Sequence, residues 1–154
     1  MTLIAVVGAT GTGKTAASLA IADAIARLGG SAEIVNCDAM QLYRGMDIGT
    51  AKASVDERRG HPHHLLDVLE PWQDAAVPAY RDAALGAIAA IEARGAVPIL
   101  VGGSGLYASS VLYDFAFPAT DAVLRAALEA ELEASGAAAM HARLAAVDAS
   151  AAAA

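Results

Sequence analysis

Read only for hydrophobic and polar positions, the chain alternates between short apolar runs and longer segments of helical period. Leu3 to Val7 is an apolar run ending at Gly8, the pattern of a strand buried in a parallel sheet. From Lys14 to Leu28 the period turns helical, with Leu19, Ala22, Ile25 and Ala26 on one stripe and Gly29-Gly30 as the stop. Ala32 to Val35 predicts a second strand. Gln41 to Asp67 is mostly irregular, broken by Gly45, Gly49, Gly60 and Pro62, and so long a loop in a compact domain ordinarily has a task. Within it, Leu65 and Leu66 are candidates for another short strand. Ala79 to Arg94 predicts a helix closed by Gly95. Val97 to Val101 predicts a buried strand ending in Gly102-Gly103, with Ser104 placed to cap the next helix.

Strand, glycine loop, helix, strand, helix, strand: this order argues for an α/β fold with a parallel sheet and right-handed crossovers. After Pro118 the character changes. Asp121 to Ser135 and Ala137 to Val147 predict two helices with no strand between them, so residues 1–117 are expected to form a core domain and 118–154 the start of a helical segment. The closing Ser150 and four alanines are low-complexity sequence to which no mechanism can be assigned.

Composition narrows the class. At 154 residues the chain is the size of one domain, and 56% hydrophobic residues exclude disorder, although alanine supplies much of that fraction. No run approaches the roughly 18 apolar residues of a membrane helix, so no membrane partner is expected. Met1 to Val7 has no basic region, which argues against a signal peptide. Cys37 is the single cysteine, so no internal disulfide is possible and a reducing cytoplasm is the expected location. A monomer is expected. Seventeen acidic residues against ten basic ones give a formal net charge of −7, a poor electrostatic footprint for a nucleic-acid binder. Any nucleic acid has to be gripped locally.

The strongest chemical signal is Gly8-Ala9-Thr10-Gly11-Thr12-Gly13-Lys14-Thr15, which matches G-x-x-x-x-G-K-[ST] with a strand entering and a helix leaving. The glycines let backbone N–H groups turn inward around an anion, and the helix N-terminus adds about half a positive charge. Lys14 is expected to reach a terminal phosphate and the Thr15 hydroxyl to sit on Mg2+. The pattern predicts a P-loop NTPase-like three-layer domain. It is specific for a polyphosphate and silent about which one, ATP included. Asp38 follows the second predicted strand and faces the same crevice, because ligands of open α/β sheets lie outside the carboxyl ends of the strands. A carboxylate beside phosphate is unfavourable unless it holds a metal or takes a proton. Both roles stay open for Asp38, as does that of a solvated loop aspartate.

The segment from Asp38 to Lys52, DAMQLYRGMDIGTAK, resembles the pattern D-S-x-Q-x-Y-x-G-x-x-I-G-T-A-K of the tRNA dimethylallyltransferases. Three more stretches are similar to that family in the same order. His63 to Asp67 resembles its P-H-H-L-I-D segment. Val97 to Tyr107, VPILVGGSGLY, resembles P-I-L-V-G-G-T-G-L-Y, and Pro118 to Glu131 resembles P-x-x-D-x-x-L-R-x-x-L-E-x-E. The departures are small: Thr12 where Ser or Ala is usual, Ala39 for Ser, Ala53 for Pro and Ser104 for Thr. None removes a titratable group. The family continues beyond the point corresponding to Ala154 into an arginine-rich passage, so the sequence is expected to be truncated before it.

The resemblance implies transfer of a dimethylallyl group from dimethylallyl diphosphate to the exocyclic amine of an adenine beside the tRNA anticodon. It implies that the loop amides, Lys14 and Mg2+ held by Thr15 stabilise the leaving diphosphate. Asp38 would accept a proton from the amine or align it, and Gln41 would orient the adenine. The adenine must leave its stack, because the amine lies on its pairing edge. Asp38, Ala39, Met40, Gln41, Ser104 and Arg125 are the implied tRNA contacts. Elsewhere, His61, His63 and His64 lack the companion ligands of a zinc site, and His64 with Asp67 is expected to hold the loop. Cys37 is read as a small apolar filler, and Trp72, Tyr43 and Tyr107 as packing residues. One alternative is a truncated fragment that binds diphosphate and catalyses nothing; the other, a small-molecule kinase, would share the loop and Mg2+ but needs lid arginines. The clustered pair Arg58-Arg59 lies in the wrong segment for those.

Overall fold

In a computed structural model, residues 2–113, 117 and 121–153 are described. They divide into two compact units, Met1–Ala116 and Phe117–Ala154. Pro118, where the sequence changes character, lies outside the described residues, as do Met1 and Ala154.

The first unit runs β1 (Ile4–Val7), α1 (Lys14–Arg27), β2 (Ala32–Asn36), a 3-10 turn (Ala39–Leu42), β3 (His63–His64), α2 (Val77–Ala93), β4 (Val97–Gly102) and α3 (Gly105–Leu112). The strands lie side by side in the order β1-β4-β2-β3, all parallel. Val7 pairs with Gly102 and Asn36 with Val101, so β1, β4 and β2 end almost level and deliver their loops to one edge of the sheet. Alternation along the strands then divides the core. Ala32 and Ile34 of β2 and Ile99 and Val101 of β4 meet Ala22 of α1. Val35, Cys37 and Leu100 point the other way, into Tyr80, Ala84, Ile88 and Ile91 of α2 and Tyr107 and Ala108 of α3. The result is the three-layer P-loop NTPase-like arrangement. Each of the largest buried side chains contributes about 2–3 kcal/mol through lost contact with water.

Helix ends are written locally. At the end of α1 the N–H of Gly30 bonds to Ile25 O and that of Gly29 to Ala26 O, both at 3.0 Å, with Gly29 at φ 81°. This is the paired-bond stop that needs a left-handed residue, and Gly95 at φ 75° ends α2 in the same way.

Four expectations are corrected. Ala26 is exposed and Ser18 is buried instead, because the Ser18 hydroxyl donates to Thr15 O at 2.8 Å and so enters the core satisfied. The third strand is His63–His64 rather than Leu65-Leu66, since Leu65 at φ 61° turns the chain out of extended geometry. β1 is the outermost strand in the sheet order and only half of it is covered. Ile4 and Val6 pack on the α1 side, while Val7 is 50% exposed. Ser104 occupies the N-cap position of α3 but makes no side-chain cap, because its hydroxyl accepts from the Ala39 N–H at 3.1 Å.

In the second unit α4 (Ala122–Val147) breaks at Gly136, whose φ of 80° and ψ of 164° are not helical, and α5 (Ala149–Ala152) follows. The Asp121 carboxylate accepts from the N–H groups of Val123 and Leu124 at 2.9 and 3.0 Å, and Asp148 caps α5 through Ala151 N. Neither helix contains a buried residue.

Candidate functional site

A cleft of about 630 Å3 opens where the loops leave the level strand ends. Thr10, Gly11, Gly13, Lys14 and Thr15 of the glycine loop line it together with Asp38 and Gln41, and so do Val101 and Gly102 at the end of β4. Ala16 and Leu19 of α1 and Thr50, Ala51, Ala53, Asp56, Glu57 and Arg59 complete the lining.

The glycine loop has the geometry its sequence requires. Gly11 and Gly13 sit at φ 80° and 82°, in the region that favours glycine. Gly13 starts α1, its carbonyl accepting from Ala17 N at 2.9 Å, so the first N–H groups of the helix are left to meet an anion. Ala9 O receives both the Lys14 ammonium at 2.7 Å and the Thr12 hydroxyl at 2.8 Å. Gly8, Ala9 and Thr12 therefore shape the loop rather than line the cleft.

Close backbone contact explains the glycine pair after β4. A Cβ on Gly102 would lie 2.1 Å from Cys37 O, and one on Gly103 would lie 3.1 Å from Gly8 O and 3.5 Å from the Lys14 ammonium. The ends of β1, β2 and β4 thus meet at these two residues, within reach of Lys14.

Asp38 is held from two sides. Asn36 is buried; its amide donates to Asp38 O at 3.0 Å and to Leu65 O at 2.9 Å, and its side-chain oxygen accepts from Asp38 N at 3.0 Å. The Tyr80 hydroxyl donates to Asn36 O at 2.8 Å, and burial raises this phenol far above its ordinary range. One oxygen of the Asp38 carboxylate accepts from Met40 N at 3.0 Å and caps the 3-10 turn, so the residue carries a structural duty as well as a place on the cleft. Gln41 donates from its side-chain amide to Thr50 O at 2.9 Å. Ala39, Met40 and Ser104 are not among the lining residues. Arg125 belongs to the second unit, where its guanidinium pairs with Glu129 at 2.9 Å.

The histidines are bonded to three different partners: His61 to Asp23 at 2.8 Å, His63 to His61 O at 2.9 Å and His64 to Glu33 at 2.6 Å. Burial holds His63 below its ordinary pKa. Among the described residues no three His, Cys, Asp or Glu are grouped to hold a metal. A magnesium ion needs less, since it keeps waters and takes substrate oxygens beside one or two protein ligands. Thr15 and Asp38, both lining the cleft, fit that requirement. Cys37 is fully buried, and burial pushes its thiol up to about 11, the property of a filler rather than a nucleophile. Tyr107 is a packing residue, its ring 4.7 Å from that of Tyr80. Trp72 is not, being 81% exposed. Sequence reasoning set Arg59 aside and passed over Asn36, Asp56 and Glu57. Only the length of the loop after Gln41 signalled that more of the cleft lay there.

Residues 41–154 match the family model described as IPP transferase. The tRNA dimethylallyltransferase of Clavibacter sepedonicus is 61% identical over 95% of this chain and 48% of its own length. Among solved structures, the full-length tRNA isopentenylpyrophosphate transferase of Bacillus halodurans is 42% identical at a TM-score of 0.69, over 99% of this chain and 49% of that one. A eukaryotic dimethylallyltransferase captured acting on tRNA is 29% identical at a TM-score of 0.68, over 76% of this chain and 28% of that one. The chain spans about half the length of the curated relatives it matches. A family model covering most of the sequence, a close relative along almost all of it and a shared fold agree: the chain belongs to the IPP transferase family.

Proposed function

We propose that this chain carries the donor site and part of the acceptor site for transfer of a dimethylallyl group from dimethylallyl diphosphate to the exocyclic amine of an adenine next to the tRNA anticodon. The observation that carries the reading is the single cleft lined by both the phosphate loop, Lys14 and Thr15, and the pair Asp38 and Gln41. Relatives named for this reaction support it.

The amine nitrogen forms a bond to the first carbon of the dimethylallyl group as the bond from that carbon to the diphosphate oxygen breaks. Negative charge grows on the departing diphosphate. The loop amides that face the cleft and the Lys14 ammonium stabilise it there, where preorganised donors act most strongly. Thr15 would hold Mg2+, which when bound neutralises diphosphate charge. The proton lost by the amine goes to the Asp38 carboxylate, and Gln41 turns the adenine edge towards the donor. Ala39, Met40 and Ser104 support that edge as tRNA contacts, and Arg125 adds one from the helical segment. On this reading residues 1–117 are the transferase core, 118–154 are part of a helical segment, and the protein works as a cytoplasmic monomer. No helix among the described residues is long and apolar enough to cross a membrane.

A competition binding assay in Mg2+, with dimethylallyl diphosphate against ATP on wild type and Lys14→Ala, tests the reading. Tight binding of dimethylallyl diphosphate that Lys14→Ala weakens supports it. Preference for ATP by a wide margin replaces it with a small-molecule kinase, and binding of neither removes the donor site from this chain.

A further inference from the structure

Lys52 is the second of the two lysines in the chain, and it is not at the phosphate loop. Its side chain is only 3% exposed. The ammonium donates to Tyr43 O at 2.7 Å and to the Asp67 carboxylate at 2.6 Å, and it lies 2.9 Å from the Asp47 carboxylate. Three acceptors use its three donors. Tyr43 and Asp47 lie near the start of the long irregular segment that follows Gln41 and Asp67 at its far end, so one cation ties the two ends of the loop together. Burial works against the charge, but Asp67 and then Asp47 outweigh it and raise the lysine above its ordinary pKa.

The gathered loop is the far wall of the cleft. Thr50 and Ala51, immediately before Lys52, line it, and Thr50 O accepts the Gln41 side-chain amide at 2.9 Å. The Thr50 hydroxyl is turned inward onto Met46 O at 2.5 Å, and Lys52 N bonds back to Asp47 O at 3.1 Å. Ala51 is held at φ 51°, a left-handed conformation that an alanine keeps only where its surroundings fix it. Only the lysine end of this cluster is buried, with Asp47 61% and Asp67 40% exposed, so solvent screening and the desolvation of Lys52 leave it little net stability to supply. Its distinctive property is geometric.

We propose that Lys52 is a positioning residue for the acceptor: it fixes the wall formed by Thr50 and Ala51 and, through the Thr50 carbonyl, the carboxamide of Gln41. Lys52 itself touches neither donor nor acceptor. The inference rests on the transfer reading for the word acceptor, but the fixing of Gln41 can be measured without it.

The test uses this chain as wild type, Lys52→Met and Asp47→Asn. Side-chain amide signals of Gln41 are followed by NMR, and binding is measured for dimethylallyl diphosphate with Mg2+ and for an anticodon stem-loop. In wild type the Gln41 amide is expected to be dispersed and slow to exchange. In Lys52→Met it moves to the position of a free carboxamide and exchanges at least about tenfold faster. Stem-loop affinity falls about tenfold, the order expected of a small misplacement, while diphosphate affinity stays within about twofold. Asp47→Asn shifts the same signals in the same direction by less, and it decides the question if Lys52→Met fails to fold. Gln41 signals that do not move overturn the proposal, and so does an equal loss of both ligands. A wild type that binds diphosphate but no stem-loop removes the acceptor reading, and the Gln41 signals still judge Lys52.

Discussion

The two units are written in similar letters and reach opposite states. In the first, apolar residues at strand and helix spacing converge on two faces of one sheet, and Ile88, Ile91, Ile99 and Leu100 are almost wholly removed from water. In the second, α4 carries Val123, Leu124, Leu132, Leu144 and Val147, and each of them is exposed. Its helices stand on alanine propensity, the Asp121 and Asp148 caps and surface ion pairs. A cap is worth about 1 kcal/mol and an exposed pair about 0.3 kcal/mol, against about 2–3 kcal/mol for one buried aliphatic side chain. Apolar content therefore does not make a core; a second apolar surface at the right spacing does. The first unit holds its site on packing, and the second holds its shape on local rules.

The comparison breaks first at the core. Ile88→Ala, at a residue 1% exposed between α2 and the sheet, is expected to cost about 3 kcal/mol, from lost burial plus the cavity left behind. In a urea melt followed by circular dichroism that is a fall of about 2 M in the midpoint. Leu132→Ala, at a residue 44% exposed in α4, is expected to change stability by less than about 0.5 kcal/mol, because alanine is the better helix former there. Equal losses at the two positions would show that the second unit also depends on a packed face.

How much was legible follows the same division. β2, β4, α1 and α2 were readable because their periods are strong and glycines end the helices in left-handed geometry. The break at Gly136 was readable for the same reason. The phosphate loop was readable because its chemistry is contiguous. Asn36 and Lys52 were not, since the partners of their side chains lie up to 29 residues away and no local spacing announces a buried network. Ser104 misled because a serine before a helix is ordinarily a cap, whereas here its hydroxyl is used across the sheet edge by Ala39. Trp72 misled because an aromatic residue was assumed to pack. Nothing in the sequence indicated that Arg59, whose guanidinium meets Asp23 at 3.0 Å, also lines the cleft.

Acid sharpens the contrast by a smaller amount. Arg94 grips the Glu33 carboxylate with two donors, at 3.1 and 2.8 Å, and with His64 it holds that group below its ordinary value of 4.5 despite partial burial. A carboxyl depressed in the folded state stabilises the fold fully above its unfolded value, and that contribution is lost as pH falls through the folded one. Stability of the first unit should therefore decline below pH of about 4.5, as the clip joining β2, β3 and α2 is protonated. Glu33→Gln removes this source. Its Tm is expected to be lower than wild type at pH 7, and the two curves should converge as the pH falls towards 3. Curves that stay parallel would mean that the clip does not couple to folding. In the second unit the corresponding group is Asp148, depressed chiefly by Ser150 and then by Ala151 N–H, and its protonation should release only the short α5.

The smallest effect on stability belongs to Arg125, and there the comparison turns on function. Its side chain is 73% exposed and pairs with Glu129 one helical turn away. Arg125→Ala trades an exposed pair worth about 0.3 kcal/mol for a better helix former, so the melting curve should hardly move. A chain of net charge −7 that binds an RNA must do so through a few placed cations, and each phosphate contact contributes to the salt dependence. If Arg125 meets a phosphate of the anticodon stem-loop, the slope of log affinity against log salt should become shallower in Arg125→Ala by about 0.7–0.9, with weaker binding at low salt. Slopes that remain parallel would leave Arg125 as a helix-surface pair and confine recognition of the RNA by this chain to the first unit.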